Sequence, residues 1–254
     1  MHMLHRQAAA SAAGPARPWI AWKEPLNNGM RPNNSIYSRV GKRVFDVTCS
    51  ALGIVLVSPL LLFVALLVKL TSSGPVLFRQ KRVGKNGHIF EILKFRSMRV
   101  NAENEGPPIT SAGDKRVTVI GAWLRRTKLD ELPQLWNVLV GDMSFVGPRP
   151  EVPKYVAMYL DEHRALLSIR PGITDPATIE YRHEEEMLGM HSDPEEFYIR
   201  HVLHQKLSVS VEYLSHISLA QDLRLVLLTV WAVLNVRPKA PEASLEADNL
   251  GAWD

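Results

Sequence analysis

The chain has 254 residues, of which 46% are hydrophobic, enough for one sizeable domain with a packed core. Its single cysteine, Cys49, excludes an internal disulfide framework and a CxxC-type metal site. The first 99 residues hold 15 Lys and Arg against three Asp and Glu, which predicts an anionic partner: a phospholipid, a nucleic acid or a nucleotide.

The N-terminal segment 1–37 is rich in Ala, Pro, Asn and Gly and lacks apolar periodicity. It is predicted to be a disordered tail, and it has no apolar run of the kind found in a signal peptide. The most apolar segment of the chain follows, from Val44 to Val68. As a helix its 25 residues would be roughly 37 Å long, enough to cross a hydrocarbon core of about 30 Å.

Two features leave the topology of this apolar segment open. Basic residues flank both of its ends, and positive charge favours the cytoplasmic side of a membrane. Ser58-Pro59 lies near its middle, where proline removes a backbone donor and serine can hydrogen-bond a freed carbonyl. A straight spanning helix and a broken, re-entrant helix are equally compatible with this pattern.

Two β-prone runs surround Lys85-Asn86-Gly87 and predict an antiparallel hairpin over residues 76–94. Lys94 and Arg96 would point to the same side of its second strand. Beyond residue 117 the pattern is mainly helical. The last apolar stretch, 219–236, fits either a buried core helix or a helix at a membrane surface.

The densest group of charged residues lies just ahead of Pro133. Three basic side chains precede two acidic ones: Arg125, Arg126, Lys128, Asp130 and Glu131. Because proline is tolerated in the first helical turn, a helix should begin near Asp130, and a helix start favours phosphate. Carboxylates would repel that phosphate unless Mg²⁺ bridged them, so the group fits Mg²⁺-assisted phosphoryl chemistry with a carboxylate nucleophile. Taken alone, Asp130 and Glu131 fit a simple helix cap better.

Other motifs are weaker. Gly147-Pro148-Arg149-Pro150 would present one arginine rigidly to a phosphate, or would be a surface loop. The segment 170–174 is predicted to be a rigid turn. His201 and His204 form an isolated HxxH without a partner motif, and exposed helix residues are expected there.

In combination these motifs resemble those of the monotopic polyprenyl-phosphate phosphoglycosyl transferases, the bacterial sugar transferase family in its minimal catalytic form. The matching stretches occur in order over about residues 38–236: KRVFDV, the apolar segment, GPVLFRQKRVGKNGHIFEILKFRSM, LDELPQLWNVLVGDMSFVGPRP, RPGIT and EYLSHISLAQDLRLVLLTV. Several long motifs in the same order are far more specific than any one of them.

The resemblance implies an α+β, mainly helical fold. A re-entrant membrane helix (38–70), broken at Ser58-Pro59, would precede a small β-hairpin and a cytoplasmic helical catalytic domain with interfacial helices (71–236). Residues 237–254 would be a C-terminal tail. The implied location is the cytoplasmic face of the bacterial inner membrane.

The resemblance also implies a reaction, in which a sugar-1-phosphate passes from a UDP-sugar to polyprenyl (undecaprenyl) phosphate and UMP is released. Asp130 would match the nucleophile and form a phosphosugar–aspartate intermediate, and Glu131 would complete an acidic pair that also holds Mg²⁺. Lys94, Arg125 and Arg149 match positions around the phosphates.

Further roles are expected for residues near these motifs. Arg96 is predicted to join the substrate-binding group. Lys42 and Arg43 are placed to meet the lipid phosphate or head groups.

One stretch departs from the family pattern. After RPGIT many members have Gly-x-Ala-Gln, whereas this chain has Asp-Pro-Ala-Thr at 175–178 and an acidic run at 184–186. This region could line the site or select the sugar, so the donor sugar stays open, as does a homo-oligomeric state. A non-enzymatic membrane scaffold is a weaker alternative. Nucleic-acid binding is weaker still, since the long apolar segment interrupts the basic half and no zinc module or RNP-like motif occurs.

Overall fold

The structure is a computed structural model that describes residues 35–235. Apart from residues 35–37, the predicted tails lie outside this part of the chain. The described part is mainly helical, as predicted, and contains two small two-stranded sheets. The helices are α1 (Lys42–Thr71), α2 (Val119–Arg126), α3 (Gln134–Val140), α4 (Pro153–Val156), α5 (Pro176–Glu180), α6 (Glu184–Gly189), α7 (Pro194–Phe197), α8 (Leu203–Ser215) and α9 (Leu219–Leu234). The strands are β1 (Leu77–Val83), β2 (Ile89–Phe95), β3 (Ser144–Val146) and β4 (Gly172–Thr174).

Helix α1 contains the long apolar segment and continues from a π-helical turn at Tyr37–Gly41. Together they are long and apolar enough to cross a membrane, and only 11% of the most apolar 18-residue window is buried. The helix runs through Pro59, which cannot donate to the carbonyl of Val55 four residues earlier. The Ser58 hydroxyl donates to that same carbonyl at 2.8 Å, which is the compensation predicted from the sequence.

One face of α1 packs along the rest of the protein. Asp46 and Ser50 are buried near its start, and Val64 and Val68 are buried near its end. Between them, Gly53 lies against the side chain of Leu135. These positions are three or four residues apart or multiples of that spacing, so they share one helical face. The other faces expose apolar side chains: Leu52, Val55, Leu56, Leu62, Phe63, Leu66 and Leu70.

The predicted hairpin is confirmed. Strands β1 and β2 pair antiparallel, with Leu77 opposite Phe95 and Val83 opposite Ile89. The turn contains Asn86 and a glycine that both adopt positive φ, which is why an Asn-Gly pair suits this position.

The second sheet was not predicted. Strand β4 pairs parallel with β3, so the segment 170–174, expected to be only a rigid turn, contributes a strand. At this pairing the backbones of Gly147 and Gly172 approach so closely that a Cβ on Gly172 would lie 2.1 Å from the Gly147 nitrogen. The close approach fixes the start of the loop that carries Arg149.

Helix α9 is not a fully buried core helix. Asp222 and Leu225 are buried, whereas Leu227, Trp231 and Leu234 are largely exposed. The buried Asp222 carboxylate accepts hydrogen bonds from the hydroxyls of Tyr37 and Tyr213. Helix α9 therefore contacts the segment that leads into α1 through polar groups and leaves an apolar face uncovered.

Candidate active site

Asp130 and Glu131 lie in a short 3-10 turn, Leu129–Glu131, between α2 and α3. The turn follows Lys128, whose left-handed backbone (φ 57°) separates it from α2. Helix α3 begins only at Gln134, with Pro133 as its N-cap, so the predicted helix start lies four residues too early. The helix-cap interpretation of Asp130 is wrong, because the capping positions belong to Lys128 and Pro133.

Glu131 is the centre of a buried charge cluster. Its Oε1 atom accepts hydrogen bonds from Lys94 Nζ at 2.9 Å and from Arg149 Nη2 at 2.5 Å. Lys94 comes from strand β2, and Arg149 comes from the loop after β3. Two elements distant in sequence thus place cations on one carboxylate oxygen.

The cations keep Glu131 ionised. Burial alone would raise the pKa of Glu131, but the charges of Arg149 and Lys94 hold it well below its usual range. In return, the Glu131 carboxylate raises the pKa of Arg149. Burial lowers the pKa of Lys94 in spite of the neighbouring carboxylate.

Asp130 has a different environment. It is 4% exposed, and its Oδ1 atom is buried without a hydrogen-bond partner among residues 35–235. Burial raises the pKa of Asp130, and repulsion from Glu131 adds to this effect. The charges of Lys94, Arg125 and Lys128 oppose it. Within residues 35–235, the site therefore contains a carboxylate oxygen without a hydrogen-bond partner, beside a carboxylate that two cations neutralise.

Arg125 lies at the end of α2, close enough for its charge to act on Asp130. Its Nη2 atom donates to Glu185 Oε1 at 2.5 Å, and its Nη1 atom donates weakly to Ser97 Oγ at 3.4 Å. Its Nε atom is buried and has no partner in the described part of the chain.

The structure separates Arg96 from Lys94. Strand β2 ends at Phe95, so the alternation of the strand no longer controls the direction of Arg96. The Nη2 atom of Arg96 donates to the carbonyl and the hydroxyl of Ser72, just beyond α1, at 2.7 and 2.6 Å. A role for Arg96 in binding substrate stays a prediction.

Lys42 and Arg43 have partners within the protein. Lys42 forms a buried ion pair with Asp222 and donates to the Tyr213 hydroxyl at 3.1 Å. The Arg43 guanidinium donates to the carbonyls of Val138 and Leu139 near the end of α3, at 2.7 and 2.9 Å. Their predicted contact with a lipid phosphate stays a prediction.

Two residues near Arg149, Arg82 and Glu151, were not predicted from the sequence to belong to the site. The Nη1 atom of Arg82 donates to the carbonyl of Pro150 at 2.9 Å and lies 3.6 Å from Glu151 Oε2. Glu151 accepts a hydrogen bond from the Tyr198 hydroxyl at 2.8 Å. These contacts fix the loop after Arg149, and no local pattern in the sequence indicates them.

Within residues 35–235, no group of three or more His, Cys, Asp and Glu side chains could hold a metal ion. His201 stacks on Phe197 and His204 on His163, so the HxxH pair is not assembled as a metal site. The Asp130 oxygen without a partner suits Mg²⁺, which takes one or two carboxylates plus phosphate oxygens and water. Glu131 is less available, because two cations already occupy its Oε1 atom.

This arrangement suits the transfer of a phosphoryl group. Lys94, Arg125 and Arg149 are cations that can attract phosphate oxygens, and the carboxylate of Asp130 is a group that can attack phosphorus.

Known proteins match most of the described chain. The family described as bacterial sugar transferase matches residues 37–236. A UDP-glucose:undecaprenyl-phosphate glucose-1-phosphate transferase of Caulobacter vibrioides is 41% identical over 198 residues, which are 76% of this chain and 69% of that protein. The exopolysaccharide production protein PSS of Rhizobium leguminosarum bv. phaseoli is 39% identical over 196 residues, 74% of this chain and 92% of that protein.

Other relatives are longer than the matched part. An undecaprenyl-phosphate glucose phosphotransferase of Komagataeibacter xylinus is 39% identical over 224 residues, which are 85% of this chain but 38% of that protein. The match includes the apolar helix, the hairpin and the segment with Asp130 and Glu131. The chain belongs to the bacterial sugar transferase family.

Proposed function

We propose that the protein transfers a sugar-1-phosphate from a UDP-sugar to undecaprenyl phosphate at the cytoplasmic face of a bacterial inner membrane. The observation that carries this proposal is the unpartnered Asp130 oxygen beside the Lys94–Glu131–Arg149 cluster. The names of the relatives support it, since they include UDP-glucose:undecaprenyl-phosphate glucose-1-phosphate transferases. A relative named for exopolysaccharide production supports a first membrane step in the assembly of an exopolysaccharide, capsule, O-antigen or other glycan.

The reaction has two displacements at the same phosphorus. In the first, an oxygen of the Asp130 carboxylate attacks the phosphorus that bears the sugar, and the bond from that phosphorus to UMP breaks. In the second, a phosphate oxygen of the lipid attacks the resulting phosphosugar–aspartate. The bond to Asp130 breaks, the carboxylate is regenerated, and the product is a polyprenyl diphosphate sugar.

The charges of the site suit both displacements. Arg149 and Lys94 can donate to phosphate oxygens while Glu131 keeps them in place. Arg125 adds a third cation near Asp130. Because the cluster is buried, these charges act on the developing negative charge with less screening than in water.

A divalent metal would complete the site through Asp130, with Glu131 as the further carboxylate of the pair. When bound, Mg²⁺ would neutralise phosphate charge, so that the Asp130 carboxylate could approach the negatively charged phosphate. The free Oδ1 atom supports this part of the proposal.

The packing of α1 supports a re-entrant topology. Near its start, Asp46 accepts hydrogen bonds from Ser144 Oγ and the Phe145 amide at 2.9 and 3.0 Å. Near its end, Val68 belongs to a buried cluster with Phe95 and Leu124. Both ends of the apolar helix thus contact one domain, and basic residues flank both ends. A helix bent at Ser58-Pro59 that enters and leaves the membrane on one face fits these contacts.

Mass spectrometry tests the nucleophile. After incubation with a UDP-sugar and Mg²⁺, without lipid acceptor, the peptide that contains Asp130 should gain the mass of a sugar phosphate. Asp130→Asn should gain none, and undecaprenyl phosphate should remove the adduct from the wild-type protein. A wild-type protein that releases UMP with acceptor present but never forms the adduct would contradict the two-step mechanism.

The donor sugar is best identified with a panel. UDP-glucose, UDP-galactose and UDP-linked N-acetylated amino sugars should be compared by the rate of UMP release in the presence of undecaprenyl phosphate. We expect one of these donors to be clearly preferred.

A further inference from the structure

The acidic run at residues 184–186 lies beside the candidate active site. It begins helix α6, which is anchored by contacts that do not involve the Glu185 side chain. The amide of Ala112 donates to the Glu185 carbonyl at 2.7 Å, and Glu184 Oε2 accepts from Lys206 Nζ at 2.5 Å. These two contacts hold α6 in place without the Glu185 carboxylate.

The Glu185 side chain is the main partner of Arg125. Its Oε1 atom accepts from Arg125 Nη2 at 2.5 Å, whereas Ser97 lies at 3.4 Å. Arg125 also has a buried Nε atom without a partner within residues 35–235. The Glu185 side chain is 43% exposed, so solvent can replace Arg125 as its partner at modest cost. Within residues 35–235, the guanidinium is therefore held mainly by one replaceable carboxylate.

The pair has a consequence for the binding of an anionic donor. A diphosphate that approaches Arg125 meets the negative charge of Glu185 at the same guanidinium. Planar guanidinium groups bind phosphates through two parallel N–H donors, and a carboxylate on Nη2 occupies one of them. Either the phosphates displace Glu185 from Arg125, or they bind Arg125 while the negative Glu185 carboxylate stays close to them.

We propose that Glu185 is a positioning residue that holds Arg125 in the donor-free enzyme and competes with the donor diphosphate for its guanidinium. The inference rests on the proposed function, since it takes a nucleoside diphosphate sugar as the ligand. When the donor binds, Arg125 passes from Glu185 to the phosphates. When UMP leaves, Glu185 binds Arg125 again.

The substitution Glu185→Gln tests this competition. Glutamine keeps an oxygen that can accept from Arg125 but removes the negative charge. We expect UDP to bind the variant about two- to five-fold more tightly, and KM for the UDP-sugar to fall by a similar factor, as for a partly exposed ion pair. The difference in UDP affinity between the variant and the wild-type protein should become smaller as the salt concentration rises. A residue with a purely structural role would leave UDP affinity unchanged or weaken it.

Glu186→Gln is the matched control. Glu186 is the next residue of the same helix, but its carboxylate lies 3.4 Å from His183 and forms no ion pair with Arg125 within residues 35–235. Its substitution removes the same charge and should leave UDP affinity and KM unchanged. An equal effect of both substitutions would mean that only the net charge of α6 matters, and the inference would be wrong.

A double-mutant cycle with Arg125→Gln completes the test. The effect of Glu185→Gln on UDP affinity should disappear in the Arg125→Gln background, because the pair no longer exists. Persistence of the effect there would overturn the inference. So would unchanged or weaker UDP binding by Glu185→Gln in an otherwise active and folded enzyme. A wild-type protein that neither binds UDP nor releases UMP from any UDP-sugar would instead defeat the proposed function itself.

Discussion

Asp130 and Glu131 are neighbours in the chain, yet their surroundings shift their pKa values in opposite directions. Burial and the adjacent Glu131 charge raise the pKa of Asp130. Burial also acts on Glu131, but Arg149 and Lys94 more than offset it. The protein thus stabilises the ionised form of Glu131 through two cations, whereas the Oδ1 atom of Asp130 has no hydrogen-bond partner within residues 35–235.

The raised pKa of Asp130 predicts a conflict between stability and activity. A native pKa above the unfolded value destabilises the fold at every pH above the unfolded pKa of the carboxylate. We expect Asp130→Asn to abolish UMP release and to raise the free energy of unfolding at pH 7 by about 1 kcal/mol, or the melting temperature by roughly 2–4 °C.

The gain in stability should vanish as the pH falls below the unfolded aspartate pKa of about 3.9. Thermal unfolding of the detergent-solubilised protein from pH 3 to 8 measures this dependence. Asp161→Asn is the control, because the Asp161 side chain is 80% exposed. It should change neither the rate of UMP release nor the free energy of unfolding. An active Asp130→Asn protein would contradict the assignment of Asp130 as nucleophile. An Asp130→Asn protein that is less stable than wild type at pH 7 would contradict the destabilising effect of the raised Asp130 pKa.

The lowered pKa of Glu131 predicts the opposite effect. A native pKa below the unfolded value stabilises the fold above about pH 4.3, and this contribution is lost as the pH falls through the native pKa. Glu131→Gln leaves Lys94 and Arg149 buried without their carboxylate, so we expect a loss of roughly 3–5 kcal/mol at pH 7.

The free energy of unfolding in urea, measured from pH 3 to 8, should show this loss shrinking toward acid pH. Glu91→Gln removes the exposed ion pair with Arg79 and should cost less than about 1 kcal/mol. Equal costs at the two positions would show that the cluster around Glu131 does not stabilise the fold.

The hydroxyl of Ser58 compensates for Pro59 within α1. Ser58→Ala should cost about 1 kcal/mol, because the Val55 carbonyl loses its donor in an apolar environment. Pro59→Ala restores a backbone N–H to that carbonyl, so Ser58→Ala should be nearly neutral in the Pro59→Ala background. Thermal unfolding in lipid nanodiscs measures the four proteins. Equal costs of Ser58→Ala in both backgrounds would show that the hydroxyl does not replace the missing amide.

The proposed re-entrant topology predicts that both ends of α1 lie on the same side of the membrane. In a Cys49→Ser background, Val40→Cys and Ser73→Cys place single thiols before and after the apolar helix, at exposed positions. Both should react with an impermeant thiol reagent in inside-out vesicles and neither in right-side-out vesicles. Labelling of the two thiols from opposite sides would rule out a re-entrant helix, but it would not contradict the proposed catalytic residues.

The sequence by itself determined the local features of this protein. The apolar segment, the hairpin turn at Asn86-Gly87 and the donor at Ser58 follow from hydropathy, backbone preference and hydrogen bonding over a few residues. Ordered motifs were also enough to indicate the family and to single out Asp130 and Glu131. Each of these signals spans a short stretch of chain.

Only the tertiary structure decided which charges meet. Lys94 and Arg149 reach Glu131 across 37 and 18 residues, and Glu185 reaches Arg125 across 60. Arg96, two residues from Lys94, contacts Ser72 instead. Periodicity and propensity act over one or two turns of a helix or along one strand, whereas long-range pairing depends on how the elements pack. The identity of a charged residue therefore did not reveal its partner, and the chemistry of the site depends on that partner.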